Sequence, residues 1–442
     1  MADASNDTYD VIIAGAGPAG VAVAARLVQK GRAARILVLD RYHFPRDKPC
    51  GGALTGHMGP VLKQLDLAIR VDHVACPDAV VRCGTFERRV VMGQTVDVIR
   101  RQDFDADLVA QAREAGVEVI EGEGLTSYET TSSGVVVHTS KKRELRAKVL
   151  VGADGAASKV RKQILSNAKE TPHRLFVIEL DVPAPEGLET SMVYDFGLMN
   201  RGLCGYVWLF PAPGNRLNVG LMHYPNAKKS LSGRELTALL AEGLRPYGVE
   251  IPAKGVRGWP VWGYHPDAKI SEARVLTVGD AAGIDGLTGE GIAVAMEQAV
   301  VAGDCIDAAL RSEEFSFSKY RKNVRRATVG RELALDRWLA KLLYGTGKWR
   351  DWLALVLLDE KVLEMYARRV DGTACRTVRM ALFDRPCKPC PQRAMPSGTL
   401  ASLACERIHA HTSCKPCSFF NFCSLGLRTA PRSGFDDRLW RR

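Results

Sequence analysis

The chain has 442 residues, too many for a single hydrophobic core, so two or three structural units are expected. Hydrophobic residues make up 46% of it and charged ones 25%, the balance of an ordinary soluble globular protein, and no run of about 18 apolar residues supplies a spanning helix. The net charge of +11 is unevenly spread: from Ala367 onward there are 14 Lys/Arg against 5 Asp/Glu, so the body is near neutral and offers no electrostatic case for nucleic-acid binding.

The N-terminus, MADASNDTYD, is polar and acidic with no apolar h-region, so no secretory signal is expected and the chain reads as cytoplasmic. In that setting the 12 cysteines read as reduced thiols or metal ligands rather than disulfides. Residues 9–14, YDVIIA, form a short β-branched run that leads directly into GAGPAG at 15–20. VAVAARLVQKG predicts a helix ended by Gly31, and RILVLD a second strand ending in Asp40. This is a strand–glycine turn–helix–strand unit with an acid 20 residues after Gly20, the context in which a GxGxxG pattern signals dinucleotide binding. Gly15 permits the tight turn, Gly17 lets the backbone approach a pyrophosphate, and Gly20 lets the helix pack closely on the sheet. Pro18 and Ala19 begin that helix, whose N-terminus offers unpaired N–H groups and a positive dipole end. Asp40 is placed to accept from a ribose 2′-hydroxyl.

Directly after this unit comes FPRDKPCGG (44–52), where Cys50 sits between a proline and two glycines that let the backbone come close to a ligand. Residues 73–99 are Val-rich and strand-like, 101–116 read as an amphipathic helix, and VEVIEG, VVVHTS and AKVLVGADG as strands. GADGAASKVR (152–161) places Asp154 and a glycine after a strand, with a Ser and an Arg at fixed offsets. Residues 174–268 alternate as sheet does and include GYVWLFP (205–211), in which Tyr206, Trp208 and Phe210 share one face of a strand. That face either lines an apolar cavity or packs the core of the sheet. GWPVWGY (258–264) is a second aromatic stretch of the same kind.

VGDAAGIDGLTGEGI (278–292) then puts Gly279 and Asp280 at the end of a strand and leads into a long helix at Gly291 and Ile292. An aspartate there can hold a ribityl or ribose hydroxyl, and the helix N-terminus can face a ring edge where negative charge accumulates on reduction. Residues 330–370 are helical, with Trp and Leu interleaved with Lys and Arg. They suit either a packed helical pair or a membrane-surface contact. Beyond about Met380, Pro, Cys, Ser and Arg dominate. Cys387 and Cys390, with Cys414 and Cys417, form two CxxC pairs suited to zinc, but the composition reads more simply as a disordered extension.

GAGPAG with Asp40, FPRDKPCGGALTG (44–56), GYVWLFP and GDAAG…TGEGI together resemble the FAD-dependent oxidoreductases of the two-domain hydroxylase type. Within these they resemble the geranylgeranyl reductase family, over about residues 9–370. The resemblance implies an α/β fold: a Rossmann-like FAD-binding domain with an inserted antiparallel β-sheet substrate domain and C-terminal helices. The expected division is 1–72 with 100–165 and 270–329 for the FAD-binding domain, 73–99 with 166–269 for the substrate domain, 330–380 for the helices and 381–442 for the Cys-rich tail.

It further implies bound FAD, reduced by NADPH, NADH or a ferredoxin-like protein, that delivers hydride to carbon–carbon double bonds of a polyprenyl chain on a lipid, quinone or prenyl alcohol. The implied FAD contacts are Gly15, Gly17, Pro18, Ala19, Gly20, Asp40, Arg41, Cys50, Gly51, Arg101, Leu125, Asp154, Gly279, Asp280, Gly291 and Ile292. Cys50 is the candidate proton donor, or else packs against the flavin as a small hydrophobe. Tyr206, Trp208 and Phe210 are the candidate substrate contacts. Flavin halogenases resemble WxWxIP where this chain has YVWLFP, which disfavours halogenation. The alternative enzyme is an FAD-dependent monooxygenase of aromatic or natural-product substrates.

Overall fold

The computed structural model describes residues 8–358 except 32–34, 167–173, 186–190, 225–230, 253–255, 286–288 and 346, together with Arg368 and Val370. The tail and its metal candidates Cys387, Cys390, Cys414 and Cys417 lie outside the described residues. The chain opens with β1 (Thr8–Ala14), α1 (Pro18–Gln29), β2 (Ile36–Leu39), β3 (Ala53–Leu54) and α2 (Met58–Leu65). There follow β4 (His73–Cys83), β5 (Phe86–Ile99), α3 (Arg101–Glu114), β6 (Glu118–Ile120), β7 (Leu125–Thr130), β8 (Val135–Thr139), β9 (Glu144–Gly152) and α4 (Lys159–Ile164). Next are β10 (Arg174–Pro183), β11 (Met192–Asp195), β12 (Gly205–Ala212), β13 (Arg216–His223), α5 (Gly233–Leu244) and β14 (Arg257–Trp262). The last are β15 (Ser271–Glu272), β16 (Val275–Thr277), α6 (Ile292–Ser312), α7 (Tyr320–Arg326), α8 (Thr328–Ala340) and α9 (Trp349–Leu358).

The first sheet runs β15–β16–β9–β1–β2–β6, with the β7–β8 hairpin attached to β9. Its strands from β16 to β6 are parallel, and β1, β2 and the end of β9 are buried Val/Ile/Leu runs, as strands covered on both faces must be. Register then does the work of assembly. Ala14 aligns with Leu39 and with Gly152, and Gly152 aligns with Thr277. The residues that follow these four strand ends therefore emerge side by side, at the carboxyl edge where α/β sheets bind ligands. The helices α1 and α6 lie together on one face, their contact tied at Arg26 and Asp304.

The inserted strands form a second sheet in the order β14–β10–β13–β12–β11–β4–β5–β3. It is antiparallel as expected except where β11 runs parallel to β4. β3 belongs to it, so Ala53–Leu54, just past the Cys50 loop, stitches the first unit's span to the edge of this sheet. Alternation splits the sheet into two unlike faces. Ile178, Leu180, Val207, Leu209, Val219 and Leu221 face α5. Tyr206, Trp208, Phe210 and Met222 form the opposite face. Helix α8 leads into a wide turn at Lys341–Gly345, and α9 begins at Trp349. Ala340, Tyr344 and Leu353 are buried against Cys83 and Met199, which favours the packed reading of this region. Among the described residues no helix is long and apolar enough to cross a membrane.

Candidate active site

The glycine turn is fixed by close backbone contacts. Gly15 has φ +111°, and a Cβ there would lie 2.2 Å from the carbonyl oxygen of Ala153. A Cβ at Gly20 would lie 1.9 Å from the carbonyl oxygen of Gly15. The first and third glycines are therefore structural necessities of the turn. Gly17 is different, because its added Cβ would meet only Arg46 Nη2, at 3.5 Å. Pro18 starts α1, where its missing N–H costs nothing. Buried Asp40 accepts from the Ala16 N–H at 2.8 Å and the Tyr42 N–H at 2.9 Å, which aims its remaining lone pairs along the turn. Arg41 is exposed, its guanidinium over the Tyr42 ring, and its Cβ lies beside Gly124, the residue before Leu125.

Asp154 caps α4: it accepts from the Ser158 hydroxyl at 2.5 Å and from the Lys159 N–H at 2.7 Å. Burial pushes its pKa up despite those donors. Arg161, three residues after Ser158, reaches across to the Ala281 carbonyl at 3.0 Å and stacks over Trp262. It thereby ties the 152–161 loop to the 279–281 turn. Gly279 (φ +62°) packs against Ala19 of α1 and donates its N–H to buried Gln298 of α6. Asp280 faces Lys48, whose ammonium lies 3.6 Å away and rests over the Trp259 ring. Burial lowers the Lys48 pKa, with Asp280 opposing. Gly291 is the N-cap of α6 and Ile292 its first, buried residue.

These stretches converge on Cys50. Its thiol lies beside the Arg101 guanidinium, and Arg101 is clamped by Asp105 through two 2.8 Å hydrogen bonds. Burial opposes the Arg101 charge, but Asp105 and Cys50 outweigh it and raise its pKa. Arg46 shares the same buried Asp105 at 3.1 Å. On its other side the Cys50 loop lies on the second sheet: a Cβ at Gly51 would sit 2.9 Å from the Phe210 ring and 3.4 Å from Trp208 Nε1. Gly289, near the start of α6, approaches the Tyr206 hydroxyl in the same way. The aromatic face is thus pressed between the platform sheet and the cofactor-side loops, and Tyr194 and Phe196 extend it with ring centroids 5.1–5.4 Å from its members.

Five contributors were not singled out from the sequence. Arg46 and Lys48 lie inside FPRDKPCGG, and Asp105 is four residues after Arg101 on one helix face, so local signals existed for all three. Glu179 and Asn218 are different, because only strand register brings them here. Trp208 Nε1 donates to Asn218 Oδ1 at 2.8 Å, and Asn218 Nδ2 donates to Glu179 at 2.8 Å and to Asp181 at 3.0 Å. Burial pushes the Glu179 carboxyl up to about 7, against the Asn218 hydrogen bond. Elsewhere, the ligand atoms of His57, Glu297 and Glu332 lie within 4.8 Å of one another. Their ion pairing accounts for that proximity.

A parallel sheet with a glycine turn, an acid at the second strand and a discontinuous cofactor edge, joined to an aromatic-faced second sheet, defines a flavin-dependent oxidoreductase. The profile of the FAD binding domain family matches residues 8–328, and the chain belongs to that family. It is 27% identical over 329 residues to the digeranylgeranylglycerophospholipid reductase of Methanococcus vannielii, covering 71% of this chain and 80% of the relative. Among solved structures it is similar to a geranylgeranyl bacteriochlorophyll reductase-like protein of Thermoplasma acidophilum. That match has a TM-score of 0.69 at 19% identity, over 85% of this chain and 98% of that one. A probable FAD-dependent monooxygenase of Pseudomonas aeruginosa shares the fold with a TM-score of 0.59 at 20% identity, over 75% of this chain and 96% of that one.

The residues fit FAD on their own terms. Arg46, beside Gly17, has a buried Nε without a hydrogen-bond partner among the described residues, and a pyrophosphate at the turn would satisfy it. Neither α1 nor α6 has a side-chain cap, so their first N–H groups remain available to an anionic cofactor.

Proposed function

We propose that the protein is an FAD-dependent reductase of carbon–carbon double bonds in a polyprenyl chain, of the geranylgeranyl type, carried on a lipid, quinone or prenyl alcohol. The observation that carries this reading is the position of Cys50: a thiol on a glycine-flanked loop, with a clamped guanidinium on one side and a buried aromatic face on the other. Reduction of an unactivated alkene needs a hydride, a proton and a dry apolar surface, and the last two are what this chain supplies. The names of the curated relatives point to the same substrate class.

In this reading the turn at Gly15, Gly17, Pro18, Ala19 and Gly20, with Arg46, holds the pyrophosphate of FAD. Asp40, Arg41 and Leu125 hold the adenosine side, and Asp280, Gly291 and Ile292 the ribityl and ring side. FAD, once reduced by NADPH, NADH or a ferredoxin-like donor, supplies the hydride. Tyr206, Trp208 and Phe210 lay the isoprenoid along the sheet and exclude water. Cys50 Sγ–H gives its proton to the alkene carbon that does not receive the hydride, and Arg101 stabilises the thiolate left behind. Asp154 stands with these groups at the cofactor edge, and Arg161 holds the 152–161 loop against the 279–281 turn.

The test is product mass. Purified protein with chemically reduced FAD and a geranylgeranyl lipid, under argon, should yield product heavier by two hydrogens for each bond reduced. A product heavier by one oxygen, formed only in air, would replace this reading with the monooxygenase one.

A further inference from the structure

A carboxylate on the aromatic face needs a reason. Glu179 lies on β10 between Ile178 and Leu180, which face α5, and so projects to the side of Tyr206, Trp208 and Phe210. It is 7% exposed, and burying a charge on an apolar surface is costly unless the site uses it. Its surroundings are built rather than incidental. Gly220 stands between Glu179 and Trp208 in the strand order, and a Cβ there would lie 2.3 Å from the indole ring. The glycine lets Trp208 lie flat toward β10 and reach Asn218. Because an indole N–H can only donate, the Asn218 oxygen must face Trp208, and both its N–H bonds then point at Glu179 and Asp181. The backbone N–H of Cys50 itself lies close enough to favour the charged form of Glu179. A carboxylate beside that amide lies within about 6 Å of the same residue's sulfur, the reach of a proton through one bridging water.

We propose that Glu179 is the proton reservoir that recharges Cys50 after each reduction, an inference that rests on the reductase reading above. The balance is simple. The Sγ–H bond breaks as its proton forms the new C–H bond, and the thiolate takes the proton of the Glu179 carboxylic acid. The Glu179 carboxylate is then reprotonated from water at its exposed edge. No electrons move in these steps, since the hydride pair comes from the reduced cofactor. The groups facing Glu179 agree with this role. Asp181 on the same strand disfavours a second negative charge, while Arg101 on α3 lies near enough to keep the carboxyl from being locked neutral. Arg257, opposite on β14, is engaged by Asp47. Burial pushes the Glu179 carboxyl up to about 7, where a reservoir must both give and take a proton.

The experiment compares wild type, Glu179→Gln and Glu179→Asp in two readouts. In FAD-free protein, iodoacetamide alkylation of Cys50 is followed by peptide mass spectrometry across pH 5–10. Removing the neighbouring negative charge in E179Q should move the alkylation midpoint down by roughly one pH unit, with E179D close to wild type. In the loaded enzyme, E179Q should lose on the order of 10²-fold in kcat with KM within about twofold, and the wild-type decline of kcat through about pH 7 should disappear. If E179Q melts too early to assay, the wild-type alkylation profile decides: an inflection near pH 7 is expected, and a single step overturns the proposal. An enzyme that reduces its substrate while E179Q leaves both the Cys50 profile and the kcat profile unchanged sinks this inference alone. Absence of any two-hydrogen product sinks the reductase reading with it.

Discussion

At the scale of single residues, the three glycines of GAGPAG separate into two kinds. Gly15 and Gly20 sit where a methyl group would overlap a backbone carbonyl, at 2.2 Å and 1.9 Å, and no side-chain movement relieves such contacts. Gly17 has room for one in the absence of cofactor. Gly20→Ala should therefore fail to give folded, FAD-binding protein. Gly17→Ala should melt within about 1 kcal/mol of wild type yet bind FAD at least tenfold more weakly. Melting of the FAD-free proteins and flavin fluorescence titration check both, and a G17A protein with normal FAD affinity would move the pyrophosphate away from this turn. Cys50→Ala should keep FAD and lose about 10²–10⁴ in turnover; full turnover would leave Cys50 a packing residue. Gly15, Gly17, Asp40 and Cys50 could be singled out in the sequence as candidates because their neighbours along the chain supply their context. The reason for Gly20 was only half legible: the sequence predicts close packing of helix on sheet, and the nearest atom is the Gly15 carbonyl of its own turn. Glu179 and Asn218 were not legible at all, because nothing within a few residues marks either, and the two lie 39 positions apart.

At the scale of elements, periodicity recovered β1, α1, β2, β9, β12 and α6, whose apolar runs are long and bounded by glycine or a charged residue. It could not show that β11 pairs parallel with β4 or that β3 joins the second sheet, since pairing partners are chosen by tertiary contact. The same holds for the junction of α2, α6 and α8. His57, the N-cap of α2, lies 3.3 Å from Glu297 on α6 and 3.9 Å from Glu332 on α8. Burial alone would lower the His57 pKa, but the Glu297 hydrogen bond and the charges of Glu290, Glu297 and Glu332 raise it from 6.5 to about 9. A raised histidine stabilises the fold fully below pH 6.5 and loses that contribution as pH rises through 9. His57→Gln should thus cost about 3 kcal/mol more at pH 6 than at pH 10. Urea unfolding at the two pH values measures the difference. A cost that does not change with pH would mean that the imidazole is neutral throughout and the three helices are joined by packing alone.

At the scale of the whole molecule, the cofactor edge and the aromatic face are held together by a few crossings between sheets. Cys50–Gly51 rests on Phe210, Arg161 of the first unit stacks on Trp262 of β14, and Lys48 is placed between Asp280 and Trp259. All of these lie within residues 8–328, the span of the family match. The stretch beyond adds α8, α9 and one further tie, Val370, whose carbonyl accepts from the Gly56 N–H and whose side chain packs at the aromatic cluster. Nine of the eleven net positive charges and seven of the twelve cysteines lie from Ala367 onward, so this segment sets the isoelectric point. A chain ending at residue 380 keeps Val370 and should remain yellow, melt within about 1 kcal/mol of the full chain and reduce substrate at an unchanged rate. A chain ending at residue 360 loses the Gly56–Val370 contact beside the Cys50 loop and should bind substrate less well while keeping FAD. Flavin absorbance with product mass for both truncations decides the matter. Loss of FAD from the 380 form would make the cysteine-rich tail part of the folded cofactor domain, and the CxxC pairs would then be its first metal candidates.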